Sequence, residues 1–358
     1  MTPRPTGDLP TAFRDHWLRH FAPPDGERLV VGVSGGIDSM TLLALLGRER
    51  AGGTDLEVVA AHFDHGARGP AGAEDGRFVE AIGAAWGTRV VRGAGDAPAR
   101  ARESGRGPMA AARELRYEFL RRVAEDEDAW AIATAHQRDD RVETLLLRIT
   151  RGASTDGLGG PRAIDDWGGT PVIRPLLPFS RTAIEEWAGR ADVPFRKDPS
   201  NVDRRYPRSR MRNEVLPLLR EINPRIDAAV VRLSDLASVD AAWLRSETGA
   251  LLDRATTSRD EVEWRLDADM LSRAPEALLG RAIVTAWSWS APEGTPPPAA
   301  AWIEGVTDFL RGGRGGLVPA PGGGEIRRRG PAVIVRRAVD SLEGATGSMK
   351  NDGEESAE

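Results

Sequence analysis

LVVGVSGGIDSM, residues 29–40, passes from a short apolar run into a Ser- and Gly-rich loop and then into helical spacing. Leu29 to Val33 reads as a buried strand and Met40 to Leu46 as a helix, with Ser34, Gly35, Gly36, Ile37, Asp38 and Ser39 between them. A loop in that position exposes backbone N–H groups and aims a helix N-terminus at a bound anion, as phosphate binding requires. A Walker A loop would carry Lys followed by Ser or Thr. An acidic Asp38 stands in the same region instead, which fits a carboxylate holding Mg²⁺ that bridges phosphates. The bland alternative is a tight turn with Ser and Asp as helix caps.

Outward from this loop, strand and helix patterns alternate from Arg28 to about Phe195. Glu57 to Phe63, Arg89 to Arg92 and Trp130 to His136 read as further strands. Phe78 to Trp86, Met109 to Val123 and Val142 to Ile149 read as helices, and a capping box at Thr182 to Glu185 opens another through Ala191. The expected fold class is therefore α/β, a doubly wound, mainly parallel sheet followed by a smaller helical domain. Residues 1–27 are expected as an N-terminal extension, 28–222 as the catalytic domain and 223–343 as a helical domain. That domain should end in a hairpin (Glu325 to Arg329, Ala332 to Arg336), with 344–358 a disordered acidic tail.

Composition narrows the chemistry. The 358 residues contain no cysteine, which removes disulfides, thiolate zinc sites, iron–sulfur clusters and cysteine nucleophiles. The net charge of −5 means that a polyanion must be held by local clusters. No stretch approaches the roughly 18 apolar residues of a membrane span, and the start lacks a signal-peptide core, so a cytoplasmic protein without membrane contact is expected.

Three further motifs fall where strands end, at the edge where this architecture places its ligand crevice. HFDHGAR (62–68) puts His62, Asp64 and His65 there, although a hydrogen-bonded core His is the commoner role for any one of them. AARELRY (111–117) sets Arg113 and Arg116 on one helical face, able to meet a phosphate or simply to be solvated. AHQRDDRVET (135–144) places Asp140 and Glu143 at i, i+3, a carboxylate pair suited to a metal or an ammonium group. Acids favoured by the helix dipole are the alternative, and that could be the full role of Asp139.

Together with RGASTDGLGG (151–160), RPLL (174–177), DPSN (198–201) and RSRMRNEVLPLL (208–219), these motifs resemble, in order and spacing, the tRNA(Ile)-lysidine synthetase family of PP-loop enzymes. The resemblance covers roughly residues 28 to 224. It implies a Rossmann-like PP-loop ATPase fold and ATP-dependent attachment of L-lysine to carbon 2 of the wobble cytidine of tRNA(Ile) with a CAU anticodon. ATP and Mg²⁺ are the implied cofactors. Residues 34–39, with His62, Asp64 and His136, are implied to bind ATP, and Asp38 to hold the metal. Asp38, Arg113, Asp140, Glu143, Arg208 and Arg212 are the implied catalytic set. Arg204, Arg205, Tyr206 and Arg210 form a basic strip with an aromatic, implied to bind tRNA. The C-terminal domain is implied to contact tRNA, and a homodimer is compatible with this reading.

Two departures from the family pattern stand out. Gln137 occupies a position where members often carry a second His, and the extra C-terminal domain of the longest members is not expected. The rivals are a tRNA thiolase and a glutamine-fed amidotransferase, both set back by the absence of cysteine. A non-catalytic RNA-binding module is set back by Asp38, Asp140 and Glu143, which would weaken anion binding unless a cation compensates.

Overall fold

The computed structural model describes residues 8–21, 23–105, 107–196, 207–292 and 294–338. The DPSN motif, Arg204, Arg205, Tyr206 and the acidic tail 344–358 lie outside the described residues. The chain divides into two compact units, Met1–Ser238 and Val239–Glu358.

The first unit is built on six strands: β1 (Glu27–Gly32), β2 (Leu56–Asp64), β3 (Arg89–Ala94), β4 (Ala131–Ala133), β5 (Ile164–Trp167) and β6 (Thr170–Ile173). Their order is β3-β2-β1-β4-β6-β5. Every pairing is parallel except that of β5 with β6. The strands read as unbroken apolar runs because both faces are covered. Leu29 and Val31 face one core with Met40, Leu42 and Leu45, while Val30, Val59 and Ile132 face another with Tyr117, Phe119 and Leu120. The chain moves from β1 to β2 and β3 on one side, then returns to β4 on the other. The order therefore reverses between β1 and β4, and the loops leaving their carboxyl ends border the ligand crevice typical of such a reversal.

Residues 1–27 hold more than an extension. Leu9, Phe13 and Trp17 recur at i, i+4, i+8 on the helix Leu9–His20 and are buried in the main core. Phe13 and Trp17 are fully buried and stack with ring centroids 6.2 Å apart. Trp17→Ala should therefore cost about 3–5 kcal/mol in a denaturant titration; a loss under 1 kcal/mol would show this helix to be dispensable.

The break between the units also differs from the expected 222/223. The Asn223 turn lies inside the first unit, because the long helix Ile226–Ala255 begins by packing Val230 against Val142, Leu145 and Leu216. Ser234 on the same helix donates to the Gly159 carbonyl at 2.8 Å and accepts from Arg141. The helix Arg181–Arg190 is capped by Ser180, whose Oγ accepts from Ala183 N, rather than by Thr182.

The second unit, expected to be helical, carries a five-stranded antiparallel sheet. β7 (Thr256–Arg259), β8 (Glu263–Asp267), β9 (Gly316–Pro319), β10 (Glu325–Arg329) and β11 (Ala332–Arg336) lie in the order β7-β8-β11-β10-β9. The β10–β11 hairpin has the expected bounds. β8 hides in the sequence because EWRLD buries only Trp264 and Leu266, alternating with charged residues. The helices Glu276–Ser290 and Ala300–Arg311 share the core with it through Leu279, Ile283, Val306 and Leu310. No helix among the described residues is long and apolar enough to cross a membrane.

Candidate active site

The loop after β1 is held by its own side chains. Ser39 Oγ donates to the Gly36 carbonyl at 2.9 Å and accepts from Ser34 N at 3.2 Å, while Gly36 N donates to Ser34 Oγ. Gly35 has a φ of +85°, a conformation glycine adopts without strain, and its carbonyl accepts from Arg196 N at 2.9 Å. Gly36 is the N-cap of the helix Ile37–Ala51 and supplies no side-chain cap, so the first N–H groups of that helix remain available to an anion.

Asp38 sits in the first turn of this helix. Its Oδ1 is buried with no hydrogen-bond partner among the described residues. Burial, reinforced by the charge of Asp140 and opposed by Arg181 and Arg212, pushes its pKa up to about 6. An orphaned, buried carboxylate oxygen beside a phosphate loop suits Mg²⁺, which takes one or two protein carboxylates and completes its shell with phosphate oxygens and water. No group of three or more His, Cys, Asp or Glu among the described residues could hold a metal by itself.

The sign of the resulting pH dependence is set by the raised pKa. The metal-free protein has the full stability contribution of protonated Asp38 below about pH 4 and loses it as pH rises through about 6, by at most about 3 kcal/mol. Asp38→Asn should thus melt above the unsubstituted protein at pH 7.5 in EDTA, with the gap closing near pH 4. Equal melting temperatures at both pH values would contradict this environment for Asp38.

The motif residues of β2 separate in role. His62 is buried, with Nδ1 2.9 Å from the Val33 carbonyl. A carbonyl only accepts, so Nδ1 carries the proton and Nε2, buried without a partner among the described residues, is a free acceptor. Burial lowers the His62 pKa and keeps the ring neutral. Asp64 Oδ1 accepts from Gly66 N at 2.9 Å and so shapes its own turn, and Arg68 pairs with Asp75 at 2.9 Å.

The helix Pro108–Asp126 brings Arg113 and Arg116 to one aromatic. Their guanidinium carbons lie 4.6 and 5.4 Å from the centroid of the Tyr117 ring, and Arg113 Nη2 donates to the Tyr117 hydroxyl at 3.3 Å. Trp167, which sequence reasoning passed over, stacks on Tyr117 with centroids 4.3 Å apart. Its signal was the Gly168–Gly169 pair, a two-residue hairpin turn with both φ positive between two short β runs. His136 contacts Thr134 Oγ1 through Nδ1 at 2.9 Å. Burial, then the charges of Arg116, Arg174, Arg113 and Arg208, drive its pKa well down, so this ring is neutral too.

Gln137, the departure from the family pattern, caps the helix Arg138–Ile149: its side chain accepts from Asp139 N at 2.7 Å while Asp140 Oδ2 accepts from Gln137 N at 3.1 Å. Asp139 is structural, accepting from Arg181 N at 3.0 Å and from Arg220 at 2.8 Å.

Asp140 and Glu143 meet the two arginines of the RSRMR motif. Arg208 donates to Asp140 at 2.7 Å and to Glu143 at 2.9 Å. Arg212 donates to Glu143 at 2.5 and 3.0 Å and reaches Asp140 at 3.4 Å. Glu143 is fully buried. Burial, against the pull of Arg208, raises the Asp140 pKa. The two arginines align because Pro207–Arg210 continues into a π-helical turn, Met211–Val215. Pro217 cannot donate to a carbonyl four residues back, and a π turn just ahead of it absorbs the mismatch. Arg210 points elsewhere, exposed and 3.4 Å from Glu214.

These features set a Gly-rich loop at a helix N-terminus near a compensated carboxylate pair, at the reversal point of a mainly parallel sheet. The chain belongs to the PP-loop family: the PP-loop domain signature matches residues 10–219, which supports ATP use. Among named relatives it is 32% identical over 272 residues to the tRNA(Ile)-lysidine synthase of Bacillus subtilis, covering 76% of this chain and 57% of that protein. It is 39% identical over 211 residues to the enzyme of that name from Thermotoga sp. (strain RQ2), covering 58% and 49%. The chain therefore spans about half the length of the curated relatives it matches. Among solved structures, the fold resembles a U34-tRNA thiolase from Methanococcus maripaludis, with a TM-score of 0.55 at 16% identity, over 64% of this chain and 78% of that one.

Proposed function

We propose that this chain joins L-lysine to carbon 2 of the wobble cytidine of tRNA(Ile) with a CAU anticodon, consuming ATP and forming AMP and pyrophosphate. The observation that carries the reading is the placement of two separate acidic sites in one crevice. Asp38 has an orphaned oxygen beside the phosphate loop, and Asp140 with Glu143 is held by two guanidiniums. A simple ATPase has no use for the second site.

The chemistry needs both. The cytosine O2 attacks the ATP α-phosphorus, the bond to the β-phosphate oxygen breaks and pyrophosphate leaves. The loop N–H groups of residues 34–39 hold that leaving group, and Arg113 meets the charge on the α-phosphate. Asp38 would hold Mg²⁺, which when bound would supply charge neutralisation at the phosphates. His62, with a free acceptor nitrogen, suits an amino group such as that of adenine. His136 and Asp64 complete the nucleotide contacts. The lysine ε-amine then attacks carbon 2 and the carbon–oxygen bond breaks, releasing AMP with the former O2.

A lysine amine is mostly protonated at neutral pH, with a pKa near 10.4. Asp140 and Glu143 hold it and accept its proton, while Arg208 and Arg212, paired to both carboxylates, fix their positions. Arg204, Arg205, Tyr206 and Arg210 are proposed to track the tRNA backbone, and the second unit to contact tRNA further along. The absence of cysteine weighs against thiolation.

The order of events gives the test. Since the adenylated group is a tRNA base, exchange of labelled pyrophosphate into ATP should require tRNA and proceed without lysine. Exchange with lysine alone would mean an aminoacyl adenylate and would overturn the proposal.

A further inference from the structure

Arg113, Tyr117 and Arg121 recur at i, i+4, i+8 along the helix Pro108–Asp126 and so share one face. The hairpin that joins β5 to β6 lies on that face. Trp167 stacks on Tyr117 with centroids 4.3 Å apart and ring planes at 22°, and a Cβ at Gly168 would stand 3.6 Å from Arg121 Cδ.

The hairpin is pinned along its length. Gly168 and Gly169 have φ of +61° and +89°, the backbone a two-residue turn needs. Gly169 N donates to Asp166 Oδ1 at 3.1 Å. Asp165 pairs at 2.8 Å with the buried Arg174, whose guanidinium also donates to the Arg162 carbonyl at 2.7 Å. β5 is an edge strand, and Ile164, Asp166 and Trp167 on it are all exposed. Trp167 is 37% exposed while Tyr117 beneath it is fully buried, so the indole is an outer layer over the tyrosine ring.

Arg113, by contrast, is an exposed side chain, and without an anchor its guanidinium would spread over many rotamers. Tyr117 anchors it twice, through the ring, 4.6 Å from the guanidinium carbon, and through the hydroxyl that accepts from Nη2 at 3.3 Å. With one ring face taken by the indole, the guanidinium is confined to the other face and the hydroxyl rim. A tilt of the Tyr117 ring would move the guanidinium with it, and a stacked indole opposes that tilt.

We propose that Trp167 is a positioning residue of the adenylation step: by fixing the Tyr117 ring it presets the Arg113 guanidinium that meets the α-phosphate. This inference rests on the reading that Arg113 serves the attack of a tRNA base on ATP.

The test uses the full chain in tRNA-dependent exchange of labelled pyrophosphate into ATP, without lysine. Trp167→Ala should lower the maximal exchange rate about tenfold and leave the KM values for ATP and tRNA within about twofold. Trp167→Phe, which keeps a stacking face, should restore the rate to within about twofold. In an Arg113→Ala background, Trp167→Ala should cost no further rate, since a residue acting through Arg113 has nothing left to position. Three results would overturn the inference while leaving the proposed function standing: equal losses in both backgrounds, a loss carried by the KM for tRNA, or a folded Trp167→Ala, judged by its melting temperature, with the unsubstituted rate. Should Trp167→Ala not fold, Trp167→Leu keeps apolar bulk without an aromatic face, and a full rate in that variant would overturn the inference equally. Absence of tRNA-dependent exchange in the unsubstituted protein would overturn both readings.

Discussion

Asp38→Asn is expected to reduce tRNA-dependent pyrophosphate release at least a thousandfold while leaving tRNA binding within about twofold. The substitution removes a buried carboxylate oxygen that has no hydrogen-bond partner among the described residues, and with it the proposed Mg²⁺ contact. A thousandfold loss corresponds to about 4 kcal/mol of transition-state stabilisation, within what metal polarisation of a phosphoryl group supplies. Because the same change relieves a carboxyl group that burial holds at a pKa of about 6, the inactive variant should also be the more stable one at neutral pH. Full ATP turnover in such a folded variant would remove Asp38 from the mechanism. A variant both inactive and less stable would point to a structural role instead.

Asp140→Asn and Glu143→Gln should split the two half-reactions. Each is expected to retain some tRNA-dependent adenylation and to lose lysine transfer, so that adenylated tRNA accumulates. Loss of one charge-assisted contact, about 1.5–3 kcal/mol, raises the lysine requirement at least tenfold, and more where the residue also takes the proton. Glu143 is fully buried against two guanidiniums, so its neutral replacement leaves positive charge uncompensated and costs stability of the order of 3–5 kcal/mol. The readout is therefore the ratio of adenylated to lysine-bearing tRNA within one preparation, which does not depend on the folded fraction. If both variants instead stopped pyrophosphate release with the lysine requirement unchanged, these carboxylates would belong to the metal site of the first step.

What could be read from the sequence follows from how local each feature is. The phosphate loop was legible because strand, loop and helix are contiguous in residues 29–40 and each carries its own pattern. The acidic pair was legible as a pair, since i, i+3 spacing fixes a shared helical face. Its partners were not: Arg208 and Arg212 reach Asp140 and Glu143 across 65 to 72 residues of chain, and no spacing rule connects them. The same reason hid the Trp167 stack on Tyr117 and the service of Asp139 to Arg181 and Arg220. Gln137 stood out only as a departure from the family pattern and is a helix cap, a role that the usual Ser, Thr, Asp or Asn preference does not signal. In the second unit, β7 and β9 have four residues each and expose most of them, so neither shows the apolar alternation that marks a strand.

The most direct test of the central claim is incubation of the protein with ATP, Mg²⁺, labelled lysine and an unmodified tRNA(Ile) transcript bearing CAU, followed by nucleoside mass analysis. The account predicts one lysine on the wobble cytidine for each AMP and each pyrophosphate released, and none when that cytidine is replaced by uridine. Cleavage of ATP with no lysine in the tRNA, or lysine attached to the uridine-substituted transcript, would contradict it.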